Sequence, residues 1–284
     1  MKLSTLKAKL RREGNRVRAE RAAHKLSPTD RCDPTSPYIV SLTTFPARVG
    51  KAHLALHTVL KGKTRPRAIV LVLSSDEFPQ QSAPTPELAA LQDRGLVLHF
   101  APGNIRSYKK LLPVRDLYPD DPIITIDDDV LYPPEWLDEL AHAHRETPDA
   151  IVGVRGREML VHDNTLAPYS TWPLATPDVP SLRVMLTGMG GIVYPPRSLP
   201  AEAFDADLAM KLCPTADDIW FKVTSMLAGT QVRQATAPQD YLTVRSAQTS
   251  ALMKVNVDGG RNDHQFRSAL DHFGLWSALV TPEG

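Results

Sequence analysis

Residues 124–137, ITIDDDVLYPPEWL, join an apolar run to three consecutive aspartates and then to two prolines that open a helical segment. The run at 123–126 has the composition of a short strand buried on both faces of a sheet. The aspartates would then follow the carboxyl end of that strand, which is where ligands bind in open α/β sheets. This stretch therefore predicts both an α/β fold and the place of a site within it.

The rest of the chain repeats this alternation. Apolar runs typical of buried strands recur at 38–43, 68–73, 96–100, 123–126, 150–154 and 230–235. Segments with helical spacing lie at 53–60, 86–94, 107–118, 133–145, 199–212 and 215–227, and a terminal helix is expected beyond Gly259. Strands that alternate with helices predict a doubly wound, mostly parallel sheet with helices on both faces.

The first 26 residues differ from the remainder in charge. They contain nine basic and two acidic residues, a net charge of +7, although the whole chain of 284 residues carries only +1. Leu3, Leu6, Leu10 and Val17 form a thin apolar stripe on the predicted helix 3–25. We predict a basic helical extension and linker at 1–37 and one α/β domain at 38–284. Because the total charge is near zero, the molecule as a whole is not expected to bind polyanions.

The basic segment suggests a location. Its helix would make a peripheral, salt-sensitive contact with an anionic membrane surface, the alternative being a solvated tail. Binding to nucleic acid is not expected, because the segment has no aromatic residue that could stack on bases. The sequence has only two cysteines, Cys32 and Cys213, and no apolar run of spanning length, so we expect a cytoplasmic protein without a disulfide framework.

The three aspartates indicate a cation site. Adjacent carboxylates repel one another, and a divalent cation with oxygen ligands is the simplest partner. In an extended backbone Asp127 and Asp129 would point to one side and Asp128 to the other. Mg²⁺ and Mn²⁺ commonly combine one or two carboxylates with phosphate oxygens, so a bound diphosphate would complete the shell. A solvated acidic turn is the alternative.

A second acidic pair, Asp217 and Asp218, follows Thr215. A carboxylate here could act as a general base for an attacking hydroxyl. The same residues could instead start a helix, with Thr215 as the N-cap and Asp218 near the capping-box position. Both interpretations stay open at this point.

Several segments, taken in order, resemble the bacterial GT-A-type glycosyltransferases, the family-2-like enzymes of surface-polysaccharide synthesis. The similar segments cover about residues 38–225 and read IVSLTTFPARV (39–49), IVLVLSSDEFP (69–79), SYKKLLP (107–113), IITIDDDVLYPPEWL (123–137), LTGMGGIVYPP (186–196) and ADDIWFK (216–222). No QxxRW-like motif is present, so processive polymerisation is not expected.

The resemblance implies a GT-A-like fold and an activity. The chain would transfer a sugar from a nucleotide-sugar donor, expected to be UDP-linked, to a hydroxyl of a glycan or glycolipid acceptor, using Mn²⁺ or Mg²⁺ and inverting the anomeric centre. A sugar-phosphate nucleotidyltransferase is one alternative, although it would need a Gly-rich basic loop after the first strand, where only Gly50 occurs. A non-catalytic glycan-binding module is another.

The resemblance also implies residue roles. Asp218, with Asp217 beside it, would be the catalytic base, and His264 would join Asp127 and Asp129 as a metal ligand. The acceptor would contact Gly190 and Gly191, in a turn that also contains Gly188, and Trp172. The implied donor-binding residues are Thr43, Thr44, Arg48, Asp127, Asp128 and one of Lys109 and Lys110, because neighbouring positions on a helix do not face the same way.

Overall fold

The computed structural model describes residues 3–162, 165–235, 241–244 and 260–280, with side chains at 11–162, 165–235, 241–244 and 260–279. The strands follow the apolar runs of the sequence. They are β1 (Ile39–Thr43), β2 (Ala68–Ser74), β3 (Leu96–Ala101), β4 (Ile123–Thr125), β5 (Val130–Leu131), β6 (Ile151–Gly153), β7 (Gly156–Glu158), β8 (Val161–His162), β9 (Thr165–Leu166), β10 (Val184–Leu186), β11 (Ile192–Tyr194), β12 (Val232–Gln234) and β13 (Leu242–Thr243).

Seven of these strands form one sheet in the order β12–β6–β11–β4–β1–β2–β3. Every neighbouring pair is parallel except the two pairs made by β11, which runs antiparallel to β4 and β6. The expected mostly parallel sheet is therefore confirmed. Strands β7 and β10 form a separate antiparallel pair, as do β5 with β13 and β8 with β9.

Helices cover both faces of the sheet. They are α1 (Leu3–Ala23), α2 (Val49–Leu60), α3 (Pro86–Gln92), α4 (Leu112–Leu117), α5 (Trp136–Glu146), α6 (Ala206–Leu212), α7 (Asp217–Leu227), α8 (Arg261–Phe273) and α9 (Trp276–Val280). Leu71 of β2 packs in a core cluster with residues of α2, α3 and α5, whereas its neighbour Val70 belongs to the cluster of α4, α6, α7 and α8. This alternation confirms the two-faced α/β architecture, because successive strand side chains point to opposite faces.

Two predicted helices are each divided. The segment 107–118 forms a 3₁₀ helix at Arg106–Lys110 and then α4, because Pro113 occupies the first turn of α4, where its missing N–H costs no hydrogen bond. The segment 199–212 forms a 3₁₀ helix at Ala201–Phe204 and then α6. Asp205 separates them by accepting the N–H of Leu208 at 2.9 Å, so it starts a new helix.

The basic extension is helical, and its carboxyl end packs on the α/β unit. Ala23 is buried beside Leu54 of α2 and Leu131 of β5, and His57 Nδ1 donates to the carbonyl oxygen of Ala23 at 2.6 Å. The leucine stripe at 3–10 lies outside the side chains that the structure describes. No helix among the described residues is both long and apolar enough to cross a membrane.

Candidate active site

The central site lies where β1 and β4 end. These strands are parallel neighbours, so the loop after β1 meets the aspartates that follow β4. Thr44 Oγ1 donates to Asp128 Oδ2 at 2.6 Å, and both side chains are buried. The predicted proximity of the first loop and the acidic run is therefore present as a direct contact.

Arg48 neutralises two of the three aspartates. Its Nη2 lies 2.9 Å from Asp128 Oδ1 and also contacts Asp129 Oδ2. The predicted alternation, with Asp128 facing away from Asp127 and Asp129, is wrong. Strand β4 ends at Thr125, and Asp128 and Asp129 form a turn, so the extended-chain rule does not apply to them.

The environment of these carboxylates disfavours their charge. Burial raises the pKa of Asp129 to about 6, the Asp127 carboxylate adds to that shift, and Arg48 opposes it. Burial likewise raises the pKa of Asp128 against the opposing effects of Arg48 and the Thr44 hydroxyl. The three carboxylates have two cations in contact with them, Arg48 and Lys110, so a further cation would stabilise their charged forms.

Both lysines of the 3₁₀ helix border the site, although only one was expected to. Lys110 Nζ contacts Asp127 Oδ1, whereas Lys109 Nζ turns toward Asn104 Oδ1 at 3.0 Å and Glu77 Oε2 at 3.4 Å. Burial alone would lower the pKa of Lys110, but the carboxylates of Asp127 and Asp217 outweigh burial and raise it. The two long side chains reach the same cavity from adjacent positions, so the expectation that only one of them would face the site is wrong.

A cavity of about 310 Å³, here called the β1 cavity, opens between these groups. It is lined by all seven candidate donor-binding residues, including both Lys109 and Lys110. Its lining comprises Thr43, Thr44, Phe45, Arg48, Glu77, Asn104, Arg106, Ser107, Lys109, Lys110, Asp127, Asp128 and Thr215.

A second cavity of about 460 Å³, here called the α7 cavity, adjoins the first. Ser107, Lys110, Asp127 and Thr215 line both. The α7 cavity is further lined by Arg155, Arg157, Tyr169, Ser170, Met185, Thr187, Gly188, Met189, Ala216, Asp217, Asp218, Ile219 and Asn262. The Lys110–Asp127 ion pair thus lies at the junction of the two cavities.

Asp217 and Asp218 are fixed by neighbouring groups at the amino end of α7. Ser107 Oγ donates to Asp217 Oδ1 at 2.8 Å, and the Gly188 N–H donates to Asp218 Oδ2 at 2.9 Å. Burial raises the pKa of Asp218 well above its usual range, and the adjacent Asp217 carboxylate raises it further, whereas the Gly188 N–H lowers it. A carboxyl group whose pKa is raised toward neutrality suits general acid–base chemistry.

Asp217 and Asp218 do lie in the first turn of α7, as the helix-start interpretation expected, but its assignment of Thr215 as the N-cap is wrong. Ala216 occupies the N-cap of α7 and makes no side-chain cap. Thr215 instead bonds across to α8, where Gln265 Oε1 accepts its backbone N–H at 2.9 Å and its hydroxyl at 3.1 Å. Asp218 is therefore not engaged at its helix end, and it faces the glycine turn and the α7 cavity.

Two residues of the glycine turn border the α7 cavity, and they are not the two that were predicted to contact the acceptor. Gly190 and Gly191 are buried with φ of +98° and +97°, and a Cβ on Gly190 would lie 2.2 Å from Val154 Cγ2. They let the backbone pack closely against the core rather than lining a cavity. Gly188 and Met189 of the same turn are the ones that border the α7 cavity.

Trp172 does not supply a surface for a sugar. Its ring is 1% exposed and packs against Tyr169 and Phe266, while its Nε1 donates to the Ala167 carbonyl at 2.9 Å. The predicted contact is wrong because Tyr169 and Phe266, the latter from α8, pack on the ring and bury it. Tyr169, three residues earlier, reaches the α7 cavity instead.

His264 does not join the aspartates. It lies exposed on α8, where its Nδ1 is 3.4 Å from Ser268 Oγ. Within residues 3–162, 165–235, 241–244 and 260–280 there is no group of three His, Cys, Asp or Glu side chains arranged to hold a metal. The predicted trio of Asp127, Asp129 and His264 is thus not assembled, although the clustered carboxylate oxygens are chemically suited to Mg²⁺ or Mn²⁺.

Sequence reasoning missed several cavity residues. Ser107, Tyr169 and the pair Arg155 and Arg157 line the α7 cavity. The sequence does contain a pattern that could have indicated the arginines, because R-x-R directly after a strand places two like side chains on one face. Tyr169 had no such pattern, because it comes from a 3₁₀ turn at Tyr169–Thr171 in the segment without clear periodicity.

Comparison with known proteins adds to this picture. No protein-family profile matches the sequence, and no curated protein matches it. The fold is similar to that of the mannosyltransferase PcManGT from Pyrobaculum calidifontis in complex with GDP-Man and Mn²⁺, with a TM-score of 0.50, 16% identity, and coverage of 96% of this chain and 73% of that one. S. aureus TarS 1–349 matches at a TM-score of 0.44 and 15% identity, over 86% of this chain and 75% of that one. The chain has a GT-A-like α/β fold.

Replacing Gly190 by alanine should destabilise the protein through packing. Gly103→Ala is the matched control, because Gly103 also has a positive φ, of +68°, but a Cβ there would meet no atom within 4 Å. We expect Gly190→Ala to lose about 1–3 kcal/mol more than Gly103→Ala, the usual cost of forcing extra volume into a packed core. Denaturant unfolding of both variants measures this difference, and equal losses would contradict the packing role.

Asp218→Asn should stabilise the protein as the pH rises. The folded pKa of Asp218 lies above its unfolded value, so ionisation costs stability and that cost grows as the pH rises through the folded pKa. The asparagine stays neutral and its Oδ1 can still accept the Gly188 N–H. The excess melting temperature of the variant should be smallest near about pH 4 and widen toward about pH 9. The exposed Asp116→Asn is the control, and a difference independent of pH would refute this origin.

Proposed function

We propose that this chain is a metal-dependent glycosyltransferase that moves a sugar from a nucleotide-sugar donor to a hydroxyl of a glycan or glycolipid acceptor. The observation that carries the proposal is the junction of two cavities at Lys110 and Asp127. One cavity has cations and clustered carboxylates, and the other has a carboxyl group of raised pKa. A transfer reaction needs two substrates to meet at such a junction.

The β1 cavity suits the donor. Thr43 and Thr44 lie at its strand end, where hydroxyl and backbone groups can bind a base and ribose. Arg48 and Lys110 place positive charge where a diphosphate would lie. A UDP-linked donor is the expectation from the sequence, but the similar fold of PcManGT holds GDP-Man, so both nucleotides belong in any test.

The run Asp127–Asp129 suits Mn²⁺ or Mg²⁺. Asp127 and Asp129 would hold the ion together with phosphate oxygens of the donor, since such ions are usually bound by one or two carboxylates and the substrate. Bound there, the ion would stabilise the negative charge of the departing nucleotide. Arg48, which now neutralises Asp128 and Asp129, would then be available to the diphosphate.

Asp218 suits the acceptor side. The Gly188 N–H holds Oδ2, which leaves Oδ1 to accept the proton of an attacking hydroxyl in the α7 cavity. Asp217, held by Ser107, raises the proton affinity of Asp218 by its charge. A base on the face opposite the departing nucleotide is the arrangement of an inverting transfer.

If Asp129 binds the metal, replacing it should reduce the effect of Mn²⁺ on nucleotide affinity. Asp129→Asn should abolish most of the gain in UDP or GDP affinity that Mn²⁺ gives the wild type, because one of two anionic ligands is removed. Calorimetric titration with and without Mn²⁺ measures that gain. Asp116→Asn, an exposed carboxylate on α4, should leave the gain intact. A wild-type gain in Asp129→Asn would remove this residue from the metal site.

The base role predicts a selective loss of turnover. Asp218→Asn should lower kcat by about 10²–10⁴-fold, the typical contribution of a general base. Affinity for the nucleotide should stay unchanged, because Asp218 does not line the β1 cavity. Steady-state kinetics and nucleotide titration on one preparation separate these effects. Turnover that survives the substitution would assign proton removal to another group.

The basic helix provides a further proposal, that residues 1–26 hold the enzyme on an anionic membrane surface. Removing the helix would uncover Leu54 and Leu131, so charge substitution is the cleaner test. We expect full-length protein to pellet with phosphatidylglycerol vesicles at low salt and to dissociate at high salt. The variant Lys2→Gln, Lys7→Gln, Lys9→Gln, Arg11→Gln should remain in the supernatant, unlike the control Lys51→Gln, Lys211→Gln, Arg197→Gln, Arg267→Gln. Equal pelleting of both variants would exclude the membrane role of 1–26.

A further inference from the structure

Part of the α7 cavity lining that the β1 cavity does not share is basic. Arg155 and Arg157 line the α7 cavity and are absent from the lining of the β1 cavity. They are not needed to neutralise the aspartate run, which has Arg48 and Lys110. Their charge is therefore directed at whatever the α7 cavity binds.

The backbone fixes the spacing of the two arginines. They flank Gly156, so they lie two residues apart on an extended segment and point to the same face. Gln234 Oε1 accepts the Gly156 N–H at 2.6 Å, and a Cβ on Gly156 would lie 3.1 Å from Val184 Cγ1. This close packing holds the segment against β10 and β12 and orients both guanidinium groups together.

Each guanidinium group is positioned by neutral partners. Arg155 Nη1 donates to Thr187 Oγ1 at 3.3 Å, and Arg157 Nη1 donates to the Trp172 carbonyl at 2.5 Å. The Arg157 guanidinium also lies 5.7 Å from the centre of the Tyr169 ring. Among residues whose side chains are described, no carboxylate forms an ion pair with either arginine.

The two arginines and the acidic pair line the same cavity. Arg155 contacts Thr187, and Asp218 accepts the N–H of the next residue, Gly188. Asp217 and Asp218 have their own partners in Ser107 and Gly188. The arginines are thus near the acidic pair without being paired to it.

We propose that the acceptor bound in the α7 cavity carries an anionic group, a sugar carboxylate or a phosphate, that Arg155 and Arg157 hold. Guanidinium groups bind both anions through paired, charge-assisted hydrogen bonds. The proposal rests on the proposed function in so far as the bound molecule is the acceptor. Held by its anionic group, that molecule would present a hydroxyl toward Asp218, which lines the same cavity.

Matched pairs of small probes test this without any donor. The probes are methyl β-glucuronide against methyl β-glucoside for the carboxylate, and glucose 6-phosphate against glucose for the phosphate. Saturation-transfer difference NMR on the full chain gives the affinity of each. We expect the anionic member of at least one pair to bind about tenfold more tightly, as a charge-assisted contact would give, and the pair that shows it identifies the anion.

Variants then show which residue causes the preference for the anionic probe. Arg155→Gln should abolish it, while Arg155→Lys should keep part of it by retaining the charge. Arg267→Gln, which removes an exposed charge on α8 outside both cavities, should keep all of it. Arg155 is preferred to Arg157 because Arg157 also supports the Trp172 backbone.

Three results would overturn the inference. These are equal affinity for charged and neutral probes in the wild type, no saturable binding of either anionic probe, and a preference that survives Arg155→Gln. The wild-type comparison decides even if a variant fails to fold. These titrations contain no nucleotide, so a negative result would not contradict the donor site. Conversely, a failure of Mn²⁺ to increase nucleotide affinity would contradict the proposed function but not the anion preference.

Discussion

Neutralisation of the carboxylates after β4 is the constraint on which the site depends. Three consecutive aspartates at the end of a buried strand are stable only if cations lie close to them. Arg48 and Lys110 meet this need because β1 is the parallel neighbour of β4 and the 3₁₀ helix Arg106–Lys110 lies beside it. The sheet order thus brings together groups that are widely separated in sequence.

One of these neutralising ion pairs also connects the two cavities. The Lys110–Asp127 pair belongs to both, so a molecule in either cavity contacts the same charges. Asp218 lies on the far side of this pair, where burial keeps its proton affinity high. In the proposed function the β1 cavity binds the diphosphate of the donor and the α7 cavity binds the hydroxyl compound, and the shared pair places the two substrates side by side.

The sequence predicted the sheet well, and the residues that it grouped as donor-binding candidates line one cavity, because sheet and grouping both follow from local patterns. Apolar runs specify buried strands, and their order specifies which loops share an edge. It failed where the outcome depended on contacts distant in the chain. The burial of Trp172 depends on Phe266, the orientation of Asp127–Asp129 depends on Arg48, and the partner of Asp218 is Gly188. Each of these partners lies far away in the sequence. Periodicity holds no information about such contacts.

The most direct test of the central claim is thermal unfolding of the full chain with UDP- and GDP-linked sugars and with nucleoside triphosphates, each with and without Mn²⁺. A ligand that binds only the folded state raises the melting temperature, and at a given concentration a tighter ligand raises it more. The account predicts that a nucleotide sugar stabilises the protein and that Mn²⁺ increases the effect. Stabilisation by triphosphates alone would indicate a nucleotidyltransferase, and no response to any nucleotide would contradict the donor site in the β1 cavity.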